Sequence, residues 1–169
     1  GMAWPAILGR LVDRPVINLG FSGNGRLEPE VIALISEIDA RLFILDCLPN
    51  LNASDATQAE QVKNKVIQSV KQLRQKLTTT PILLAEHCGF TNEAIHPGNR
   101  QGYQALNKVQ QEAFQQLKSE GLNQVYLISK EEIGLSIEGT VDGIHPTDVG
   151  MQDYALGYEK SIRKILDEP

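Results

Sequence analysis

The 169-residue sequence predicts an α/β protein, a three-layer α/β/α sandwich around a mostly parallel sheet. Three observations predict it. Short, nearly continuous apolar runs rich in Val, Ile and Leu have the composition of strands covered on both faces. Segments with the period of an amphipathic helix lie between them. The resulting order, α-β-α-β-α-β-α-β-α, calls for right-handed crossovers that return each strand parallel to the one before.

Taken along the chain, residues 3–12 form a short helix candidate and "PVINLGF" (15–21) the first strand. A helix is expected over 29–38 and a strand over "RLFILDCL" (41–48). In 58–77, Val62, Val66, Val70, Leu73 and Leu77 recur three or four apart while Gln61, Lys63, Lys65 and Lys71 fall elsewhere, so one face is apolar. "PILLAEH" (81–87) and "QVYLIS" (124–129) are the remaining strands, with helices over 101–120 and 147–166. No internal repeat, low-complexity tract or linker divides the chain, which reads as one domain over 1–169.

Composition narrows the function. With 41% hydrophobic and 22% charged residues, the chain is an ordinary globular protein. Its net charge is -5 with Lys and Arg scattered, which gives no footprint for nucleic acid, and no membrane span is indicated. Cys47 and Cys88 are too few for a disulfide framework or a zinc quartet, and each ends an apolar run where a buried thiol is the default. No signal peptide is visible, and Gly1 before Met2 reads as a tag remnant.

In open α/β sheets ligands bind beyond the carboxyl ends of the strands. The segments to inspect are therefore "SGNGR" (22–26), "PNLNAS" (49–54), "CGFTN" (88–92) and the loop leading to "DGIHP". In "DGIHP", Asp142 is placed to fix one tautomer of His145 and stabilise its charged form, leaving the other ring nitrogen for proton transfer. The plain alternative is a helix start, with Thr147 as N-cap and Asp142 closing a turn. Gly20, Gly23 and Gly25 surround Ser22 and Asn24, and a glycine N–H there can approach an anionic oxygen closely. The run is G-x-x-G-x-G, not the dinucleotide fingerprint G-x-G-x-x-G. Nor is Ser22 a nucleophile elbow, because G-x-S-x-G requires glycine where Asn24 stands. Pro49 gives Asn50 a defined direction as a second oxyanion donor, against the simpler role of a turn asparagine. Asn24, Glu86 and His87 are candidates to shape a pocket, although a satisfied histidine at a strand end is the commoner case; His96 is looser still.

"SGN" after a strand, "LPN" ending the next and "DGIHP" before the last helix together resemble three of the four blocks of the SGNH (GDSL-like) hydrolase family. The resemblance covers nearly the whole chain and is most specific at "DGIHPTDVGM". It implies Gly23 and Asn50 as oxyanion-hole donors, and Asp142 and His145 as acid and base of a serine esterase. No metal or organic cofactor is implied. The family's serine block would stand upstream of the helix that "MAWPAILGRL" resembles. The expectation is a C-terminal portion of a larger hydrolase, begun at an internal Met2, with the nucleophile left upstream.

The resemblance also implies a flavodoxin-like sheet order with its first strand missing from between "PVINLGF" and "RLFILDC". The edges left should close together or recruit another chain as a homo-oligomer. The implied partners are small acyl esters or acetylated carbohydrates, and the implied compartment of the parent is periplasmic or extracellular. Two alternatives stand beside the esterase. One is a metal-assisted hydrolase built on Asp46, His87, Asp142 and His145, weakened because Asp46 would lie inside a strand. The other is an inert, binding-only fragment.

Overall fold

A computed structural model describes residues 1–167. They form two compact units: residues 1–20, 88–103 and those from 128 onward make the first, and residues 21–87 and 104–127 the second.

The second unit holds most of the sheet. Strand β1 (Phe43–Leu45) runs parallel to β2 (Ile82–Ala85), with Phe43 opposite Ile82 and Leu45 opposite Leu84. Strand β3 (Val125–Ile128) lies on the far side of β2, giving the order β1-β2-β3. All four β2 residues are fully buried, as expected of a central strand covered on both faces. Helix α2 (Pro29–Ile35) starts on a proline whose missing N–H would have had no partner in the first turn. Helix α3 (Ala56–Lys76) is started by Asp55, whose carboxylate accepts the Gln58 N–H at 2.8 Å. Its stripe Val66, Val70 and Leu73 packs with Leu45, Ile82, Leu84 and Leu117 in one core. Leu117 belongs to α4 (Pro97–Ser119), whose residues from 104 fall in this unit.

In the first unit, α1 (Trp4–Leu11) lies on α6 (Asp148–Leu166). The Trp4 indole stacks on Tyr158 with centroids 4.5 Å apart and planes at 8°. The Arg163 guanidinium donates to the Leu11 carbonyl at 2.9 Å, satisfying one of the orphan acceptors at the end of α1. A one-turn helix, α5 (Lys130–Ile133), also packs on α6; it is fixed by a reciprocal capping box of Ser129 and Glu132 and stopped by Gly134 in the left-handed conformation. It was not foreseen, because Ser129 was read as the end of a strand and the residues after it as a loop.

Two expectations are corrected. "PVINLGF" is not a strand: Val16, Ile17, Leu19 and Phe21 are 40–64% exposed, and no described strand pairs with the segment. Its composition resembles that of β2, but a strand exists only where neighbours take up its backbone groups. Direct closure of this segment onto "RLFILDCL" is accordingly not formed, and β1 has β2 as its one neighbour in the sheet. The second strand is also shorter than expected. It ends at Leu45, so Asp46 lies after the strand, and Leu48–Asn50 turn into a 3₁₀ helix begun with Pro49.

Candidate active site

The loop between residues 140 and 146 is a narrow hairpin. Thr140 and Pro146 form an antiparallel bridge, and the Val141 N–H donates to the His145 carbonyl at 2.9 Å. Thr147 then starts α6, its hydroxyl accepting the Gly150 N–H at 3.2 Å. The hairpin turns at Gly143, whose φ of +95° lies in the region that disfavours a side chain. Asp142 both closes this turn and engages the ring: Oδ1 accepts the N–H groups of Ile144 at 3.0 Å and His145 at 2.8 Å, and Oδ2 lies 2.7 Å from His145 Nδ1. The two readings offered by the sequence, helix start and acid–base pair, are compatible because different atoms serve each.

The electrostatics follow from those contacts. Hydrogen bonds from the His145 backbone and then its ring, followed by the Ile144 N–H, hold the Asp142 carboxyl down at about 2. An ionised Asp142 favours the tautomer that carries its proton on Nδ1, which leaves Nε2 as an acceptor. The His145 side chain is 75% exposed, so that nitrogen faces outward. Three hydroxyls of this unit are engaged elsewhere: Ser136 donates to Asp153 at 2.6 Å, Ser129 caps α5, and Thr140 meets Thr91 at 2.5 Å.

Within the second unit, residues 21–24 make a tight turn in which Ser22 and Gly23 both have positive φ, +44° and +80°. The Asn24 N–H donates to the Phe21 carbonyl at 3.2 Å, and its side-chain amide folds back onto the Phe21 and Ser22 carbonyls. Asn24 thus spends its amide on the turn itself. Gly23 is exposed and has open space around its Cα, while its carbonyl accepts from the Arg26 guanidinium at 3.2 Å. Asn50 reaches this loop, donating one amide hydrogen to the Gly25 carbonyl at 3.1 Å. The other amide hydrogen remains for a ligand.

Glu86 and His87 are each 2% exposed, so neither lines an open surface. Asn107 of α4 accepts the His87 N–H at 2.8 Å and donates to its carbonyl at 3.0 Å, while Gln111 donates to the Glu86 carboxylate at 2.6 Å. Burial pushes the His87 imidazole down to about 4, so it is neutral near pH 7. The Cys47 thiol is pushed up to about 11, first by burial and then by Asp46, and is a poor nucleophile; Cys88 is buried against the Tyr154 hydroxyl at 2.6 Å. His96 is exposed and contributes its backbone N–H to a turn on the Asn92 carbonyl. Among the described residues no three His, Cys, Asp or Glu side chains are grouped to hold a metal ion. No described helix is long and apolar enough to cross a membrane.

Sequence reading missed the residues that support the acid–base hairpin from below. Thr91 and Asn92 contact it through three polar groups, yet "CGFTN" stood out only as a loop after a strand. No local pattern marks them, because they meet the hairpin from about 50 positions away.

The sequence model of the GDSL-like lipase/acylhydrolase family matches residues 1–163. Among solved structures, a Bacteroides ovatus protein classed as a GDSL-like lipase is 34% identical, with a TM-score of 0.89 over 99% of this chain and 48% of its own. A salicylyl-acyltransferase from a tetracycline biosynthetic pathway is 16% identical, with a TM-score of 0.79 over 96% of this chain and 48% of its own, a likeness of fold. The chain thus spans about half the length of the solved chains it resembles. No curated protein matches it. With its α/β architecture and a family match over nearly its whole length, the chain belongs to the GDSL-like lipase/acylhydrolase family, the SGNH hydrolases.

Proposed function

We propose that this chain carries the acid and base of a serine ester hydrolase. The observation that supports it is the 2.7 Å contact of Asp142 Oδ2 with His145 Nδ1, made by a carboxylate kept ionised and leaving Nε2 exposed. In this reading Nε2 takes the proton of an attacking serine hydroxyl as the hydroxyl adds to the acyl carbon. It returns that proton to the departing alcohol, and water repeats the sequence to release the acid. Asp142 stays ionised throughout and stabilises the transient imidazolium.

Gly23 and Asn50 are proposed as oxyanion donors. They are supported by the residue match and by geometry within their own unit: a glycine with open space where a side chain would stand, and an amide with one hydrogen uncommitted. Asn24, Glu86 and His87 are assigned supporting roles, since their polar groups are spent on the turn and on the end of β2. The nucleophile is proposed to be a serine outside these 169 residues, because the His145 ring meets only Asp142 among the described side chains. The chain alone is accordingly proposed to be inert, and the open edge of β1 to be taken up by a further strand of the parent or of a second copy. Acetyl esters of carbohydrates are the proposed substrates.

Hydrolysis of a small activated acetyl ester by this chain, beside a version extended at its N-terminus by the upstream serine block, tests the reading. Activity confined to the extended protein and abolished by His145→Ala supports it. Equal, His145-independent hydrolysis by both removes it.

A further inference from the structure

We infer that Thr91 and Asn92 are positioning residues for the acid–base hairpin, holding Asp142 where it can fix the His145 ring. This rests on the reading of Asp142 and His145 as an acid–base pair. All the residues involved lie in the first unit.

Four contacts carry the inference. The Thr91 N–H donates to the Gly143 carbonyl at 3.0 Å, and the Thr91 hydroxyl meets that of Thr140 at 2.5 Å. Thr140 in turn accepts the Gly143 N–H at 3.1 Å, so both backbone groups of Gly143 are tied, one directly and one through a hydroxyl relay. The Asn92 amide donates to the Asp142 carbonyl at 3.3 Å. Asn92 also covers Gly143 so closely that a Cβ at position 143 would collide with its carboxamide, and Gly143 is buried as a result.

Asn92 does not hold itself. Its carbonyl oxygen Oδ1 accepts from the Asn99 amide at 3.1 Å, and Asn99 stands in the first turn of α4. Its backbone carbonyl accepts the N–H groups of Ile95 and His96, both at 3.1 Å, closing a turn just before that helix. The rigidity of a 23-residue helix is thus passed through one carboxamide to a hairpin whose working side chains are exposed. The hairpin's own bonds bring Asp142 to His145, but both side chains are exposed, and surface ion pairs alone hold side chains weakly. A fixed geometry at the base needs support of this kind.

The test reads His145 directly. The chain has three histidines, so ¹⁵N-histidine labelling and long-range ¹H–¹⁵N spectra at pH 8.5 resolve each ring, with His145→Gln assigning the signal. The wild-type His145 is expected to show one tautomer, protonated on Nδ1. Asn92→Ala and Thr91→Val should raise the other tautomer by roughly tenfold, the scale of one lost hydrogen bond, while Thr91→Ser, which keeps the hydroxyl, should not. Unchanged tautomers in both Asn92→Ala and Thr91→Val, while Asp142→Asn does shift the ring away from the Nδ1-protonated form, would overturn the clamp and leave the acid–base reading standing. A wild-type ring with no preferred tautomer would overturn both. Near-UV circular dichroism of the Trp4–Tyr158 stack reports folding of the first unit in each variant; if Asn92→Ala loses it, the contrast between Thr91→Val and Thr91→Ser decides.

Discussion

Asp142 grips His145 at both ends, taking its backbone N–H on Oδ1 at 2.8 Å and its ring Nδ1 on Oδ2 at 2.7 Å. One carboxylate therefore sets both the path of the main chain and the orientation of the imidazole. The two functions separate by substitution. Asp142→Asn should keep the turn, since the side-chain carbonyl still accepts the two N–H groups, but its amide cannot favour the Nδ1-protonated ring. In the N-terminally extended protein, on the proposed reading, kcat for the acetyl ester is expected to fall by about 10⁴-fold with little change in thermal midpoint. Steady-state kinetics beside a melting curve check this.

Asn50→Ala should cost the same protein roughly 10²–10³-fold in kcat, the usual loss for one oxyanion donor. Because Asn50 also donates to the Gly25 carbonyl, the variant should loosen the 21–25 loop, seen as faster amide exchange there. A kcat within a factor of two of wild type would take Asn50 out of the reaction.

Acid should destabilise the chain in two separate windows. Burial lowers the His87 imidazole from 6.5 to about 4, so between those values the unfolded chain binds a proton that the folded chain refuses. Stability therefore falls as the pH drops through that window, by about 1.4 kcal/mol per unit at full slope. Asp142 acts lower: its carboxyl is held down from 3.8 to about 2, so what it contributes is present above 3.8 and lost as pH falls toward 2. Urea denaturation at stepped pH should show the upper slope disappear in His87→Gln and the lower one persist.

Gly157→Ala should destabilise the chain by about 1–3 kcal/mol, the cost of overpacking. A Cβ there would lie 2.5 Å from the Ile133 carbonyl oxygen and 2.6 Å from that of Glu132, forcing α6 away from α5. Denaturant midpoints of the variant and wild type measure it.

The sequence by itself determined the α/β class, the long amphipathic helices and the chemical character of "DGIHP". The apolar stripe of α3 is legible because a 3.6-residue period admits one reading, and the Asp142–His145 contact because three residues in a turn can bring a carboxylate to an imidazole. Tertiary structure alone decided which apolar runs became strands. "PILLAEH" and "PVINLGF" look alike in composition, yet only the first has neighbours on both sides, and strand pairing is a property of neighbours. It likewise decided that Glu86 and His87 are buried beneath the amides of α4, and that Thr91 and Asn92 lie against Gly143. Contacts between residues 20 to 50 positions apart leave no local period or spacing in a single chain, because they are set by where the backbone returns.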